Sequence, residues 1–513
     1  MNLKKSKLFI IIVTIFSLLF ANIILCFSLF IFEPVSYKSP DLELSDFSFN
    51  LYNKYDYDLN SEFYIKQISH DDIIASDDDI RIKYVKDTII LIADDSASYN
   101  DIQELADMYH GKICGYVDVI DFYQIDFDEF SYDELKNICS VLSNNEMINA
   151  VLIDYFEETP LSATLSDYTY VNDIYDFNDF YYYEMINYPT DILKTNITTS
   201  DITVGMFDVP VDTSNKFLNV INNKSYNNSL LNNSLLTGFN SHGTHVAGIM
   251  CGSVCSDAPG ICPDAKLVSD NGINNSISYW IAAITDMIVN FNVNVINFSL
   301  GYNSYISISA TLGCSDAIDF VENEALIFEN LLLKLINNNY QFLICVAAGN
   351  ESGKSINTLP SSYLFSYGRK EILNLIDIFN IFTDNIEYCD AKFSLPFNYI
   401  SNSVVDDYII TVGACDEFMN YSKFSNTGDC IDIVAPGENI YSLSLNNDYE
   451  YNTGTSMATP FVSATAALLF ASDNRISAKE VKNAIIDSAE KFVSVSDFEY
   501  PILNVEGAIE YLK

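Results

Sequence analysis

Asn452-Thr453-Gly454-Thr455-Ser456-Met457-Ala458-Thr459-Pro460 leads directly into an apolar run from Phe461 to Phe470, and the reading of this junction decides the fold. A stretch that is apolar on every side predicts a helix buried on every side. Ser456 then falls at its amino end, where unpaired amides and the helix dipole favour negative charge on a nearby oxygen. A serine in that place is often only a helix cap, so its chemistry depends on what else the fold brings to it.

Two upstream segments are candidates. Ile202-Thr203-Val204-Gly205-Met206-Phe207 is a buried-strand pattern ending at Asp208, which places a carboxylate at the carboxyl end of a central strand, where the sites of open α/β sheets lie. The chain has four histidines, His70, His110, His242 and His245. Two of them share Ser241-His242-Gly243-Thr244-His245-Val246-Ala247-Gly248, a helix-like run in which Gly243 permits close backbone approach just after the first imidazole. His242 is the expected base. The pair is not expected to bind zinc, because no glutamate adjoins the first histidine as in H-E-x-x-H. Further on, Phe342 to Ala348 reads as a buried strand followed by Gly349 and Asn350, and Val295 to Gly301 reads as another.

In the order Asp208, His242, Ser456 these segments resemble the subtilisin-like serine protease family. Order separates the known arrangements: an α/β-hydrolase runs Ser, Asp, His around G-x-S-x-G, whereas Ala458 stands two after Ser456 here, and the trypsin-like order is His, Asp, Ser. The resemblance implies Ser456 as nucleophile, His242 as general base and then general acid, and Asp208 as the group that orients and stabilises the imidazolium. It implies Asn350 as an oxyanion donor. It also implies Ser299, Leu300 and Gly301 as the edge that pairs with substrate backbone, and Ala347, Ala348 and Gly349 as the lining of the pocket for the residue before the scissile bond. No charged group is evident there to fix a preference.

The resemblance runs from about Tyr182 to the end and includes Gly260-Ile261-Cys262-Pro263, Ile409 to Ala414 and Ala435-Pro436-Gly437. The implied fold class is α/β: a doubly wound, mostly parallel subtilisin-like sheet with helices on both faces over about 165–513. Residues 354–400 read as an insertion holding a helix-like Glu371 to Phe382, and the capping box Ser477 to Glu480 opens a late helix. No organic cofactor and no metal are expected. Cys251 to Gly260 lacks the asparagine-rich loop with which many relatives hold calcium, so calcium is not indicated there.

Ahead of this region, residues 87–160 alternate strand and helix signals in the order strand-helix-strand-strand-helix-strand, with a capping box from Ser131 to Glu134. That order predicts a small ferredoxin-like α+β domain, and the family resemblance implies a propeptide that chaperones and inhibits the enzyme and is cut away after Glu158. Residues 36–86 read as an acidic spacer. Lys4, Lys5 and Lys7 precede an uncharged, mostly apolar run from Leu8 to Phe32, long enough to span a bilayer, so residues 1–35 are expected to be a signal anchor or a signal peptide, with everything beyond on the far side of the membrane.

Composition narrows the rest. The chain has 513 residues, 49% of them apolar, enough for more than one core. A formal charge of -44, dispersed without long blocks, excludes a nucleic-acid partner by repulsion. Eleven cysteines show no zinc-like spacing, and an odd total leaves at least one unpaired within a monomer. The expected partners are protein or peptide substrates, the chain's own propeptide and a membrane. Two rival functions on the same fold are a membrane-tethered peptide-binding protein that has lost turnover and a ligase or cyclase in which an amine takes the acyl group.

Overall fold

The computed structural model describes residues 63–76, 82–157, 180–189, 198–224, 241–272, 275–302, 304–311, 313–353, 388–473 and 475–513. The expected membrane segment, most of the acidic spacer and the helix-like Glu371 to Phe382 lie outside them.

The amino-terminal unit is a sheet of β1 (Phe63–Tyr64), β2 (Ile73–Ala75), β3 (Lys83–Ala93), β4 (Lys112–Val117), β5 (Phe122–Asp126) and β6 (Ile148–Glu157), with α1 (Tyr99–Met108) and α2 (Tyr132–Leu142) packed on it. The order β4-β5-β3-β6 is the split βαββαβ arrangement, and every pairing is antiparallel. Both helices begin as local sequence dictates: Ser98 with Asp101, and Ser131 with Glu134, form reciprocal capping boxes. The sheet also takes in residues that read as spacer. β1 pairs with β4 and β2 with β3, and β3 begins at Lys83. Such short strands carry too little pattern to stand out in sequence; a pre-existing sheet edge makes them strands.

The larger part begins with β7 (Thr203–Asp208) and β8 (Asn219–Lys224). It continues through α3 (His242–Cys251), β9 (Lys266–Asn271), β10 (Asn275–Ser276), α4 (Ile277–Val289), β11 (Val295–Phe298), α5 (Ser315–Asn337), β12 (Leu343–Ala347), β13 (Ile409–Cys415) and β14 (Ile433–Pro436). A hairpin, β15 (Ile440–Leu443) with β16 (Tyr449–Asn452), precedes α6 (Thr455–Ser472) and α7 (Ala478–Asp487). Seven strands form one parallel sheet in the order β14-β13-β12-β11-β7-β9-β8.

Alternation along the central strands loads both faces of this sheet. Val295, Leu343 and Cys345 pack with α3 and α6, whereas Ile296, Phe298, Ile344 and Val346 pack with α4 and α5. The second cluster does not stop at the helices; it runs on into Ile89, Leu91, Val117 and Ile153 of the amino-terminal sheet. α6 is long and apolar enough to cross a membrane, yet 89% of its apolar window is buried, as befits a core helix.

Candidate active site

Asp208 ends β7 and is almost completely buried. Its Oδ1 accepts the backbone N–H of Val209 at 2.7 Å and lies 2.6 Å from Nδ1 of His242, the first residue of α3. Gly243 makes this approach possible. A Cβ there would lie 2.2 Å from the Val209 carbonyl oxygen, so any larger residue would push the helix away from the strand end. His245, one turn along, is fully buried with Nε2 at 2.9 Å from the Ile440 carbonyl and 3.2 Å from that of Glu450. Two carbonyl partners require Nε2 to carry the proton. Burial, followed by the neighbouring His242, pushes its pKa down to about 3, so His245 is a neutral strut. Among the described residues no group of three or more possible ligands gathers for a metal.

Ser456 is the second residue of α6. An ordinary helix would bond its carbonyl to the N–H four residues on, but that residue is Pro460, which has none. The released carbonyl accepts from Ser299 Oγ at 2.9 Å instead, and Ser456 Oγ donates to the Ser299 carbonyl at 3.2 Å. Ser299 Oγ in turn accepts from Asn297 Nδ2 at 2.8 Å, whose Oδ1 accepts from Ser463 Oγ at 2.8 Å. This buried chain ties the end of β11 to the first turns of α6 and sets where Ser456 stands.

Asn350 follows Gly349, whose φ of +94° turns the chain out of β12. Asn350 Oδ1 accepts from both the N–H and the Oγ1 of Thr455, each at 2.9 Å. The oxygen end of the amide is thereby fixed toward α6, and the donor end is the other branch.

His242, Ser456, Asn350, Ser299, Leu300, Gly301, Ala347 and Gly349 line one open cleft with Tyr302, Ser307, Glu351, Ser394 and Thr455. Two expectations change here. Ala348 does not line the cleft: just past the end of β12 it turns away from Ala347, into a core with Met185 and Cys415. Glu351 does line it, so the cleft carries a carboxylate that sequence reading missed. Its Oε2 accepts from the Asn350 N–H at 3.0 Å and from Asn426 Nδ2 at 2.7 Å. A glutamate after an asparagine in a loop gives no local signal; its placement depends on Asn426, far along the chain. The cysteines add nothing to the site. The ten among the described residues are free thiols, and burial pushes those of Cys251 and Cys345 up to about 12.

The family model described as the subtilase family matches residues 176–502. A thermophilic serine proteinase of Bacillus sp. (strain AK1) is 27% identical over 278 residues, 53% of this chain and 53% of that protein. The alignment thus spans about half the length of that relative. Subtilisin DY of Bacillus licheniformis is 26% identical over 315 residues, 61% of this chain and 92% of its own length. Among solved structures, fervidolysin from Fervidobacterium pennivorans, a keratinolytic enzyme related to subtilisin, superposes with a TM-score of 0.52 at 16% identity, covering 88% of this chain and 64% of that one. That likeness is one of fold.

Proposed function

We propose that this chain, which belongs to the subtilase family, is a serine endopeptidase that works through an acyl-enzyme on Ser456. The observation that carries the reading is the buried Asp208–His242 pair, 2.6 Å apart, opening on the same cleft as a serine at the amino end of a helix. His242 Nε2 takes the Ser456 hydroxyl proton as Oγ attacks the peptide carbonyl. Asp208 holds Nδ1–H and stabilises the imidazolium. Asn350 Nδ2 and the α6 amides donate to the oxyanion. The imidazolium then gives its proton to the leaving amine, and water repeats the sequence on the ester.

The amino-terminal unit is read as the propeptide. β6 extends its sheet onto β10 of the larger part, with Glu157 beside Asn275 and Phe156 beside Ser276. Asp154 of β6 accepts from Ser278 N–H at 3.1 Å and Ser278 Oγ at 2.7 Å, capping the start of α4. Cleavage after Glu158 and before β7 would release it. The apolar amino terminus holds the enzyme on, or sends it across, a membrane.

Intact mass and amino-terminal sequencing of the full chain, beside Ser456→Ala, test this. A break between about 158 and 195 in the wild type alone supports the reading. Two folded, uncut proteins that are both inert toward peptide substrates would overturn it.

A further inference from the structure

The last residue of β6, Glu157, points its carboxyl into the interface with the larger part, where it meets Glu324 of α5. Glu324 is fully buried and Glu157 nearly so. Glu324 Oε2 accepts from the Tyr302 hydroxyl at 2.5 Å, while no donor reaches its Oε1 among the described residues. The surroundings are otherwise aromatic. Phe320 of the same helix packs against both Tyr155 and Tyr302. The titratable groups facing Glu324 are Glu157 and Tyr155 from β6 and Tyr302 from the segment after β11. All of them are acids; none is a cation.

Two carboxyls that both accept cannot satisfy each other unless they share a proton. Burial, then Glu157, raises the Glu324 carboxyl well above its ordinary range. The position adjoins the cleft through Tyr302. Tyr302, which holds Glu324, lines the cleft beside Gly301, and β10, which holds Glu157 by backbone pairing, begins just beyond Gly272, where a Cβ would touch Leu300. An extended peptide laid along β10 as β6 is would present one side chain where Glu157 sits, on the amino side of the bond to be cut.

We infer that Glu324, positioned by Tyr302, is the specificity-determining residue of an upstream substrate subsite that takes a cationic side chain. The inference rests on the peptidase reading. A lysine or arginine there supplies the donor that Glu324 Oε1 lacks, whereas a glutamate supplies a second acceptor. The propeptide therefore occupies the subsite with the wrong charge, held while a proton is shared and repelled once both groups ionise. An inhibitor that must leave is so distinguished from a substrate that must bind.

Two measurements test this. The self-processed full chain and its Glu324→Gln variant are given fluorogenic octapeptides with Lys or Glu at each of the third to sixth positions before the scissile bond. At one position the wild type should favour Lys tenfold or more at pH 8, less at pH 5, and Glu324→Gln should bring the ratio close to one. An active wild type whose ratios are unmoved by Glu324→Gln at every position refutes the subsite. Cleavage of no peptide refutes the peptidase reading instead, and the contact is then judged without catalysis. In full-length protein carrying Ser456→Ala and Asp154→Asn, which removes the other titrating carboxyl of β6, protection from hydrogen exchange across 148–157, corrected for the intrinsic pH dependence of amide exchange, should fall from pH 5 to pH 8, and Glu157→Lys should abolish the fall. Protection that is the same at both pH values, or a fall that Glu157→Lys leaves unchanged, overturns the charge clash.

Discussion

Replacing Gly243 by alanine tests whether helix-to-strand contact sets the catalytic geometry. The new Cβ would lie 2.2 Å from the Val209 carbonyl oxygen and 3.3 Å from Asp208 Oδ1. Carbon and oxygen settle no closer than about 3.2 Å, so α3 must retreat by about 1 Å or Val209 must give way. His242 is the residue before, and its 2.6 Å contact with Asp208 is the first to lengthen. A misplacement of about 1 Å costs roughly 100-fold in turnover, and overpacking of a tight contact costs about 1–3 kcal/mol of stability. The assay is kcat and KM on a peptide substrate, with circular dichroism and thermal unfolding as the folding control. A fall in kcat of about 100-fold with KM little changed in a folded protein is expected. A folded Gly243→Ala enzyme with kcat within threefold of the wild type refutes the reasoning.

Asn350→Ala should lower kcat by about 100- to 1000-fold with little change in KM, the signature of a donor used mainly in the transition state; steady-state kinetics at saturating substrate show it. Burial raises the Asp154 carboxyl from 3.8 to about 6, against the hydrogen bonds from Ser278 and Gln124. Its stabilising contribution is therefore complete below about pH 4 and lost as pH rises through about 6, a change of roughly 3 kcal/mol. Urea unfolding of Ser456→Ala protein at several pH values should show that slope, and Asp154→Asn should flatten it. Lys482 Nζ lies 2.9 Å from Asp432 Oδ1 and donates to the Asp406 carbonyl at 2.9 Å. Lys482→Met strands a partly buried Asp432 carboxylate and should cost about 1–3 kcal/mol, read as a lower unfolding midpoint.

What the sequence determined by itself is whatever depends on neighbours a few residues apart. Ser131 with Glu134 and Ser477 with Glu480 cap their helices because both partners lie within one turn. The apolar run after Ser456 is a buried helix because no face of it is polar. Asp208, His242 and Ser456 are legible as candidates because each sits at an element boundary marked by its own neighbours, Gly243 and Pro460 among them. Tertiary structure alone decided what depends on contacts across the chain. β1, β2 and β10 are two or three residues long and are strands only because another edge is present. Ala348, just past β12, faces a core with Met185 and Cys415, and Glu351 enters the cleft because Asn426 holds it. Glu157 meets Glu324 across 167 positions of sequence (324 − 157). No local pattern announces a contact of that span, because its free energy arises only when two separately folded surfaces exclude water from between them.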